Sequence, residues 1–108
     1  IGAIPGPFPE AVRRALAARR VDGDDRVLMQ PTAFSAGCQL DPLDGEGAKR
    51  RELYGPSADA FGHPGAGGSH AFGDPENGLS FAYTMNQMQL NVMPGRRSTA
   101  LTEGLYAG

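Results

Sequence analysis

The chain has 108 residues, which is enough for one small domain. Its formal net charge of −2 gives no electrostatic case for a nucleic-acid partner, and no apolar run approaches the roughly 18 residues of a membrane-spanning helix. The single cysteine, Cys38, excludes an internal disulfide framework.

The apolar content is low for a self-sufficient core. Only 20 of the 108 residues are Leu, Ile, Val or Phe, whereas glycine and proline contribute 16 and 9 residues. A fraction below roughly 20% is marginal for an independent globular core, while a net charge near zero argues against simple disorder. The composition therefore predicts part of a larger domain, or a chain that covers apolar surface by self-association or with a partner.

The N-terminal region contains one predicted helix. Residues 1–8 carry two prolines and are predicted to be extended. A helix is predicted over residues 9–20, because a proline suits its first turn and Glu10 favours the positive end of the helix dipole. Val12 and Leu16 lie four residues apart on one face, and the arginines form a solvated surface.

Two strands are predicted before the middle of the chain. Arg26–Gln30 is a candidate short strand, and Ala33–Leu40 is a stronger one because large and small residues alternate along it. Asp41–Asp59 is predicted to be a long connection, rich in Asp, Gly and Pro. A helical turn around Ala48–Leu53 would shorten its irregular part.

The stretch Phe61–Met88 predicts a hairpin. Large residues alternate with small ones from Leu79 to Met85, which predicts a strand with one large apolar face. The residues from Asp74 to Gly78 have the composition of a tight turn. The upstream arm, His63–Phe72, is predicted to be the other strand, and its glycines indicate close approach by another backbone or by a ligand.

A C-terminal helix is predicted with Ser98 as its cap. Leu101 and Leu105 lie four residues apart and are predicted to pack on the large face of the strand 79–85. The predicted fold class is therefore α+β, with an antiparallel sheet of about three strands and both helices packed on it.

The hairpin stretch resembles the C-terminal signature of the β-lactamase-related serine hydrolases: class C β-lactamases, penicillin-binding proteins and the esterases that share their fold. His63-Pro64-Gly65-Ala66 stands where the lactamases carry Lys-Thr-Gly-Ala, as the His-x-Gly variant of the esterase-type relatives. A Gly-Gly pair, an Asp-Pro turn and a strand ending at Asn follow in the same order: Gly67-Gly68, Asp74-Pro75 and Asn86. The resemblance covers about the last half of the chain.

The resemblance implies acyl transfer through a serine ester. In the family, the serine of a Ser-x-x-Lys motif attacks the carbonyl, and two backbone N–H groups hold the oxyanion. By position, the second donor is the N–H of Ala66 on an edge strand, and His63 occupies the place of the lactamase cation. Gly65 and Gly67 are the implied substrate-binding residues, with Gly65 leaving room for the acyl group. No cofactor or metal is implied.

The chain departs from the family pattern in lacking the nucleophile. None of its serines is followed by lysine at the third position, and no Tyr-x-Asn occurs. We therefore expect residues 1–108 to be the C-terminal fragment of a larger hydrolase domain, supplying one wall of a site for a small ester or amide. A histidine is mostly uncharged at pH 7 and would hold a carboxylate less firmly than lysine, which favours esters over β-lactams.

Other interpretations of the same residues stay open. His63 is equally well interpreted as a hydrogen-bonding strand residue, and His70 is far better interpreted as structural than as functional. A metal site formed by His63, His70 and Asp74 matches no recognised ligand spacing. The alternative function is a catalytically inactive module that keeps the fold for binding or assembly.

Overall fold

The computed structural model describes residues 8–108. Helix α1 (Glu10–Ala17) precedes six strands, and helix α2 (Arg96–Ala107) follows them. The strands are β1 (Val21–Asp25), β2 (Gln30–Phe34), β3 (Gln39–Leu40), β4 (Phe61–Pro64), β5 (His70–Asp74) and β6 (Leu79–Tyr83). They form one antiparallel sheet in which each strand pairs with its neighbours in sequence.

The α+β class and the two helices are confirmed, but the expected sheet of about three strands was wrong because six are present. The missed strands are short and polar. β1 contains Asp22, Asp24 and Asp25, for which no strand was predicted. Residues 26–29, predicted as part of a strand, form the turn between β1 and β2, where the Asp25 carboxylate accepts the N–H groups of Val27 and Leu28 at 2.8 and 2.9 Å.

The strand predicted over residues 33–40 is also two strands. Ser35 and Cys38 close a turn inside it: the Ser35 N–H donates to the Cys38 carbonyl at 2.9 Å, and the Cys38 N–H donates to Ser35 Oγ at 3.0 Å. Helix α1 is shorter than predicted, because Ala18 is already extended. The predicted extended segment 1–8 lies almost wholly outside the described residues.

The strand register divides the sheet into two faces, since side chains alternate along each strand. We call them the α1 face and the α2 face after the helix that packs on each. The α1 face is buried around Ala33, Leu40 and Phe61, with Ala17 of α1 packed against them. The α2 face is buried around Tyr54, Ala60 and Phe72, with Leu53, Phe81 and Tyr106 packed against them.

The long connection between β3 and β4 is organised by one buried carboxylate. Asp41 is fully buried and accepts hydrogen bonds from Lys49 Nζ at 2.9 Å and from the N–H groups of Leu53 and Tyr54 at 3.0 Å. The connection therefore folds around Asp41, and Tyr54 lies on the α2 face. The helical turn predicted at residues 48–53 is absent from the described structure.

Helix α2 packs through different residues from those predicted. Leu101 and Leu105 are 53% and 40% exposed, so their predicted packing on the sheet was wrong. The buried helix residues are Ser98 and Thr102, and the ring of Tyr106 stacks on Phe72 with centroids 6.5 Å apart. Small hydroxyl residues bring the helix closer to the sheet than leucines would allow.

Two further details of α2 follow from its ends. Ser98 is not the helix cap, since Gly95 takes that position and Ser98 Oγ donates to its carbonyl at 3.3 Å. At the other end, the Tyr106 hydroxyl donates to the buried Asp74 carboxylate at 2.6 Å, and Asn77 Nδ2 donates to the same carboxylate at 2.8 Å. Burial raises the pKa of Asp74, but these hydrogen bonds outweigh it and hold the pKa below its ordinary value.

Over residues 8–108, neither helix combines the length and the apolar character that a membrane crossing requires.

Two glycines in the β4–β5 pair provide a matched test of the sheet. A Cβ at Gly62 would lie 2.6 Å from Cβ of Phe72 and closer still to the Ala71 carbonyl oxygen, whereas a Cβ at Gly73 would meet only Phe61 Cζ at 3.7 Å. We predict that Gly62→Ala lowers the free energy of unfolding by at least about 1–3 kcal/mol. Gly73→Ala should leave it unchanged or raise it by up to about 1 kcal/mol. Denaturant unfolding of the two variants checks this, and equal losses would contradict the register.

Candidate functional site

The glycine-rich run after β4 is a tight turn. The arm predicted as one strand over residues 63–72 is therefore two strands, β4 and β5, joined by Gly65–Ser69. Gly67 and Gly68 have φ of +97° and +122°, where residues with a Cβ rarely lie. The Gly65 N–H donates to the Ser69 carbonyl at 2.7 Å, and the Gly68 N–H donates to the Gly65 carbonyl at 3.1 Å.

The N–H group of Ala66 has no acceptor in this turn. The N–H groups of Gly65, Gly67 and Gly68 all donate to backbone carbonyls, whereas that of Ala66 donates to no group among residues 8–108. Ala66 is also exposed. An unpaired backbone donor held in a hydrogen-bonded turn is suited to an oxygen of a ligand, and it is the group that the family resemblance implies as the oxyanion donor.

Gly67 has both of its backbone polar groups occupied. Its N–H donates to the Asn91 carbonyl at 2.9 Å, and its own carbonyl accepts the Gln89 N–H at 2.8 Å. Gly67 is buried, and a Cβ there would lie 2.7 Å from Met88 Cε and 2.9 Å from Met85 Cε. The implied role of Gly67 in substrate binding stays a prediction, and its contacts give it a supporting place behind Ala66.

His63 and Gly65 lie on either side of Pro64. His63 is exposed, and its Nδ1 is 2.7 Å from the Pro64 carbonyl oxygen. Because a carbonyl oxygen only accepts, this hydrogen bond places the proton on Nδ1 and leaves Nε2 able to accept another. A Cβ at Gly65 would lie 3.0 Å from Cβ of Ser69, so the absence of a side chain gives the turn room to close.

The strand that carries these residues is not an edge strand in the sheet order, because β3 precedes it. The expectation of an edge strand was wrong in this respect. However, β3 pairs with β4 only at Gln39 and Gly62. Beyond that pair, the β3 side of His63 and Pro64 has no strand partner among the described residues, so the end of β4 that leads to Ala66 is open.

A shallow cavity of about 260 Å³ lies beside β4 on the α1 face of β4, β5 and β6. His63, Ala71, Gly73 and Ser80 share this face through the register His63↔Ala71 and Gly73↔Ser80. The face is open because Ala71, Gly73 and Ser80 are small and α1 covers only the neighbourhood of Phe61. Helix α2 covers the opposite face.

His70 lies away from this cavity. Strand alternation puts His70 and Asp74 on the α2 face and His63 on the α1 face, so the three do not converge on one site. The ring of His70 is buried against Tyr54, Phe72 and Phe81, and neither ring nitrogen has a hydrogen bond of normal geometry.

Burial lowers the pKa of His70 and outweighs the opposing influence of the Leu53 backbone and the Asp41 carboxylate. The structure therefore gives His70 a place in the aromatic core.

No strand or helix was predicted for residues 89–92 of the segment that backs the turn. Residues 88–92, MQLNV, alternate large apolar and polar side chains, and that alternation is the signal of extended chain that indicates its role. Gln89 and Asn91 share one side: a Cβ at Gly95 would meet Gln89 Oε1 at 2.6 Å and Asn91 Nδ2 at 3.2 Å.

A family model described as Beta-lactamase matches residues 6–105. The chain belongs to this family. No curated protein matches the chain.

Three solved structures are similar to the chain. A family VIII carboxylesterase is 34% identical with a TM-score of 0.74, over 86% of this chain and 23% of that one. A penicillin-binding protein homolog from Caulobacter crescentus is 39% identical with a TM-score of 0.77, over 90% and 24%. EstA from Arthrobacter nitroguajacolicus Rue61a is 27% identical with a TM-score of 0.69, over 96% and 27%. The chain thus spans about a quarter of the length of each.

The buried ring of His70 predicts a pH-dependent stability. Its folded pKa lies below the value of about 6.5 in the unfolded chain, so the unfolded state binds more protons between the two values. The contribution of the neutral His70 ring to the free energy of unfolding is fully present above about pH 6.5. It is lost progressively as the pH falls below that value. Replacing the ring by phenylalanine, which suits the aromatic surroundings, should remove this decline between pH 7 and pH 5.

Thermal unfolding across this pH range measures the effect. His63→Gln is the matched control, because it alters the exposed histidine and leaves the buried ring in place. It should keep the wild-type decline. An unchanged pH dependence in His70→Phe would show that the buried ring is not its source.

Proposed function

We propose that this chain is the C-terminal part of a serine hydrolase acting on carboxylic esters, and that it supplies the wall with the second oxyanion donor. We refer to the full-length hydrolase of this proposal as the complete protein. The observation that carries the proposal is the unpaired N–H of Ala66 after the end of β4, between Gly65 and Gly67, whose N–H groups both have acceptors. Membership of the β-lactamase family supports the reaction class.

In the proposed reaction, a serine oxygen from outside this chain attacks the ester carbonyl carbon. The carbonyl oxygen becomes the anion and accepts hydrogen bonds from the Ala66 N–H and from the N–H of the serine itself. The alcohol then leaves with the proton taken from the serine, and an acyl-enzyme remains. Water adds to the acyl carbon, the serine oxygen regains a proton, and the carboxylic acid is released.

The proposal of a C-terminal part rests on three observations that agree. The chain spans about a quarter of the solved structures that it matches. It contains no Ser-x-x-Lys. The α1 face beside β4 carries an open cavity lined in part by Ala71, Gly73 and Ser80, so we propose that the rest of the domain covers it and brings the nucleophile to Ala66.

The substrate preference is proposed from position 63. His63 is exposed at the mouth of the cavity, and its Nε2 is free to accept a hydrogen bond from an alcohol or an acid group. A lysine at this place would instead favour a substrate carboxylate through a permanent charge. Two of the similar structures are described as a carboxylesterase and as EstA, which supports esters over β-lactams.

A catalytically inactive module is the second candidate. The absence of Ser-x-x-Lys and Tyr-x-Asn from residues 1–108 is the observation that favours it. The two candidates differ in one respect: whether these motifs stand in the rest of the complete protein.

The first test uses this chain by itself. The 108-residue chain should release p-nitrophenol from p-nitrophenyl acetate no faster than buffer, because it has no activated serine. Saturable turnover that a serine-directed phosphonate abolishes would overturn the proposed division of the site.

The second test replaces Ala66 in the complete protein. Residues 65–68 form a turn closed by the Gly68 N–H and the Gly65 carbonyl, with positive φ at the third residue. This is the pattern of a type II turn, in which proline is favoured at the second position, here Ala66. Ala66→Pro should therefore remove the N–H with little strain and lower kcat on the order of 10²–10³-fold.

Two variants accompany this test. Ala66→Ser keeps the N–H and should retain near wild-type kcat, while His63→Ala should lower kcat less than Ala66→Pro does. Circular dichroism checks that each variant is folded. A folded Ala66→Pro protein with near-normal kcat would contradict the oxyanion role.

A further inference from the structure

We propose that the backbone groups of Gln89 and Asn91 position the oxyanion donor. In this proposal they act through Gly67 and do not contact the substrate. The inference rests on the proposed function, and it assigns a task to the segment after β6 that the family match does not supply.

The geometry of the peptide planes carries the inference. The Ala66 N–H belongs to the peptide plane between Gly65 and Ala66, and the Gly68 N–H holds that plane through the Gly65 carbonyl at 3.1 Å. The next plane, between Ala66 and Gly67, is held by the Gly67 N–H bond to the Asn91 carbonyl at 2.9 Å. Both dihedral angles of Ala66 are therefore set by hydrogen bonds on either side of it.

The second plane is held from outside the turn. Besides donating to Asn91, Gly67 accepts the Gln89 N–H at 2.8 Å, so the segment forms a two-bond backbone pair with one residue. Glycine suits this position, because its φ of +97° lies in a region that residues with a Cβ rarely adopt. Without the pair, the turn would be held only by its own two hydrogen bonds.

The segment 88–92 is held in place by contacts with the start of α2. Gly95 is the N-terminal cap of that helix, and a Cβ there would meet the side chains of Gln89 and Asn91 at 2.6 and 3.2 Å. The Arg97 guanidinium donates to the Gln87 carbonyl at 3.4 Å. A continuous line of contacts therefore runs from the start of α2 through Gln89 and Asn91 to Gly67 and the Ala66 plane.

An oxyanion donor is effective only if its direction is set before charge develops. An Ala66 peptide plane free to rotate would bind the neutral ester carbonyl almost as well as a fixed one, because a neutral oxygen gains little from the donor. It would stabilise the anionic transition state less. Loss of positioning should therefore appear in kcat and leave KM nearly unchanged.

The segment offers a matched pair of proline variants. The Gln89 N–H makes one of the two bonds to Gly67, so Gln89→Pro removes it. The Leu90 N–H makes no hydrogen bond among the described residues, and its side chain is fully exposed. The Asn91 N–H donates to the Gln89 carbonyl at 2.9 Å, which makes Leu90 the centre of a three-residue turn without positive φ. Proline suits that conformation.

The experiment is done in the complete protein with p-nitrophenyl esters. Gln89→Pro should lower kcat on the order of 10-fold, less than the loss of the donor itself, with KM changed by less than about 2-fold. Leu90→Pro should keep kcat within about 2-fold of wild type. If the two prolines have equal effects on kcat, the positioning role is overturned.

The affinity for a transition-state analogue distinguishes a positioning role from a purely structural one. A trifluoromethyl ketone accepts the serine oxygen at its carbonyl carbon, and its carbonyl oxygen becomes an anion in the oxyanion site. Its affinity should fall in Gln89→Pro by the same factor as kcat/KM, while the thermal midpoints of the two proline variants stay similar. Unchanged affinity for the ketone would contradict the proposal.

A second pair of variants applies if Gln89→Pro does not fold. Gly95→Ala displaces the side-chain amides of Gln89 and Asn91 that lie against the start of α2, whereas Gly104→Ala in the same helix meets nothing within 4 Å. Only Gly95→Ala should lower kcat and ketone affinity together.

The failure of this inference is distinguishable from failure of the proposed function. If Ala66→Pro lowers kcat and both proline variants of the segment are normal, the function stands and the positioning role falls. If the complete protein has no serine-dependent esterase activity, the proposed function itself fails.

Discussion

The left-handed backbone of Gly67 and Gly68 is the constraint on which the rest of this structure depends. It reverses the chain within five residues, between the end of β4 and the start of β5. The reversal fixes the register in which Gly62 faces Phe72 and His63 faces Ala71. A shift of one residue would move Phe72 out of the aromatic cluster and expose it, because strand side chains alternate between faces. The turn therefore decides both what is buried and where Ala66 stands.

The two faces of the sheet have different tasks. On the α2 face, Tyr106 stacks on Phe72 and its hydroxyl reaches the buried Asp74 carboxylate, so one side chain joins the helix to the core and to the β5–β6 turn. A buried carboxylate is costly unless it is well hydrogen-bonded, and Asp74 is. On the α1 face, small residues leave the sheet beside β4 open. The sheet is covered where α2 packs and open beside β4, where we propose that the rest of a larger domain packs.

The candidate site is made of backbone more than of side chains. Its central group is an N–H of alanine, and the groups that orient it are carbonyl and N–H groups of glycine, glutamine and asparagine. Backbone donors need no rotamer to be frozen, so their direction depends on the chain path alone. This is why the segment after β6, which carries no recognisable motif, bears on the geometry of a turn more than 20 residues earlier.

Much of the fold could be predicted from the sequence. The turn at residues 74–78, the alternation along β6, the two helices and the α+β class follow from local patterns, because turn chemistry and period-two alternation act over a few residues. The family resemblance likewise rested on contiguous residues from His63 to Asn86, and the family is confirmed.

The remaining features were decided by tertiary structure. β1 is rich in aspartate and becomes a strand through its pairing with β2, which no local propensity indicates. Leu101 and Leu105 have helical spacing, yet they are exposed and the opposite side of the helix packs on the sheet. The small residues Ser98 and Thr102 on that side allow a close approach, so that the ring of Tyr106 stacks on Phe72. Sequence by itself determined the motif His63–Ala66 and the turn at residues 74–78. Only the tertiary structure brought Gln89 and Asn91 to Gly67, because hydrogen-bond partners far apart in the chain are chosen by the fold.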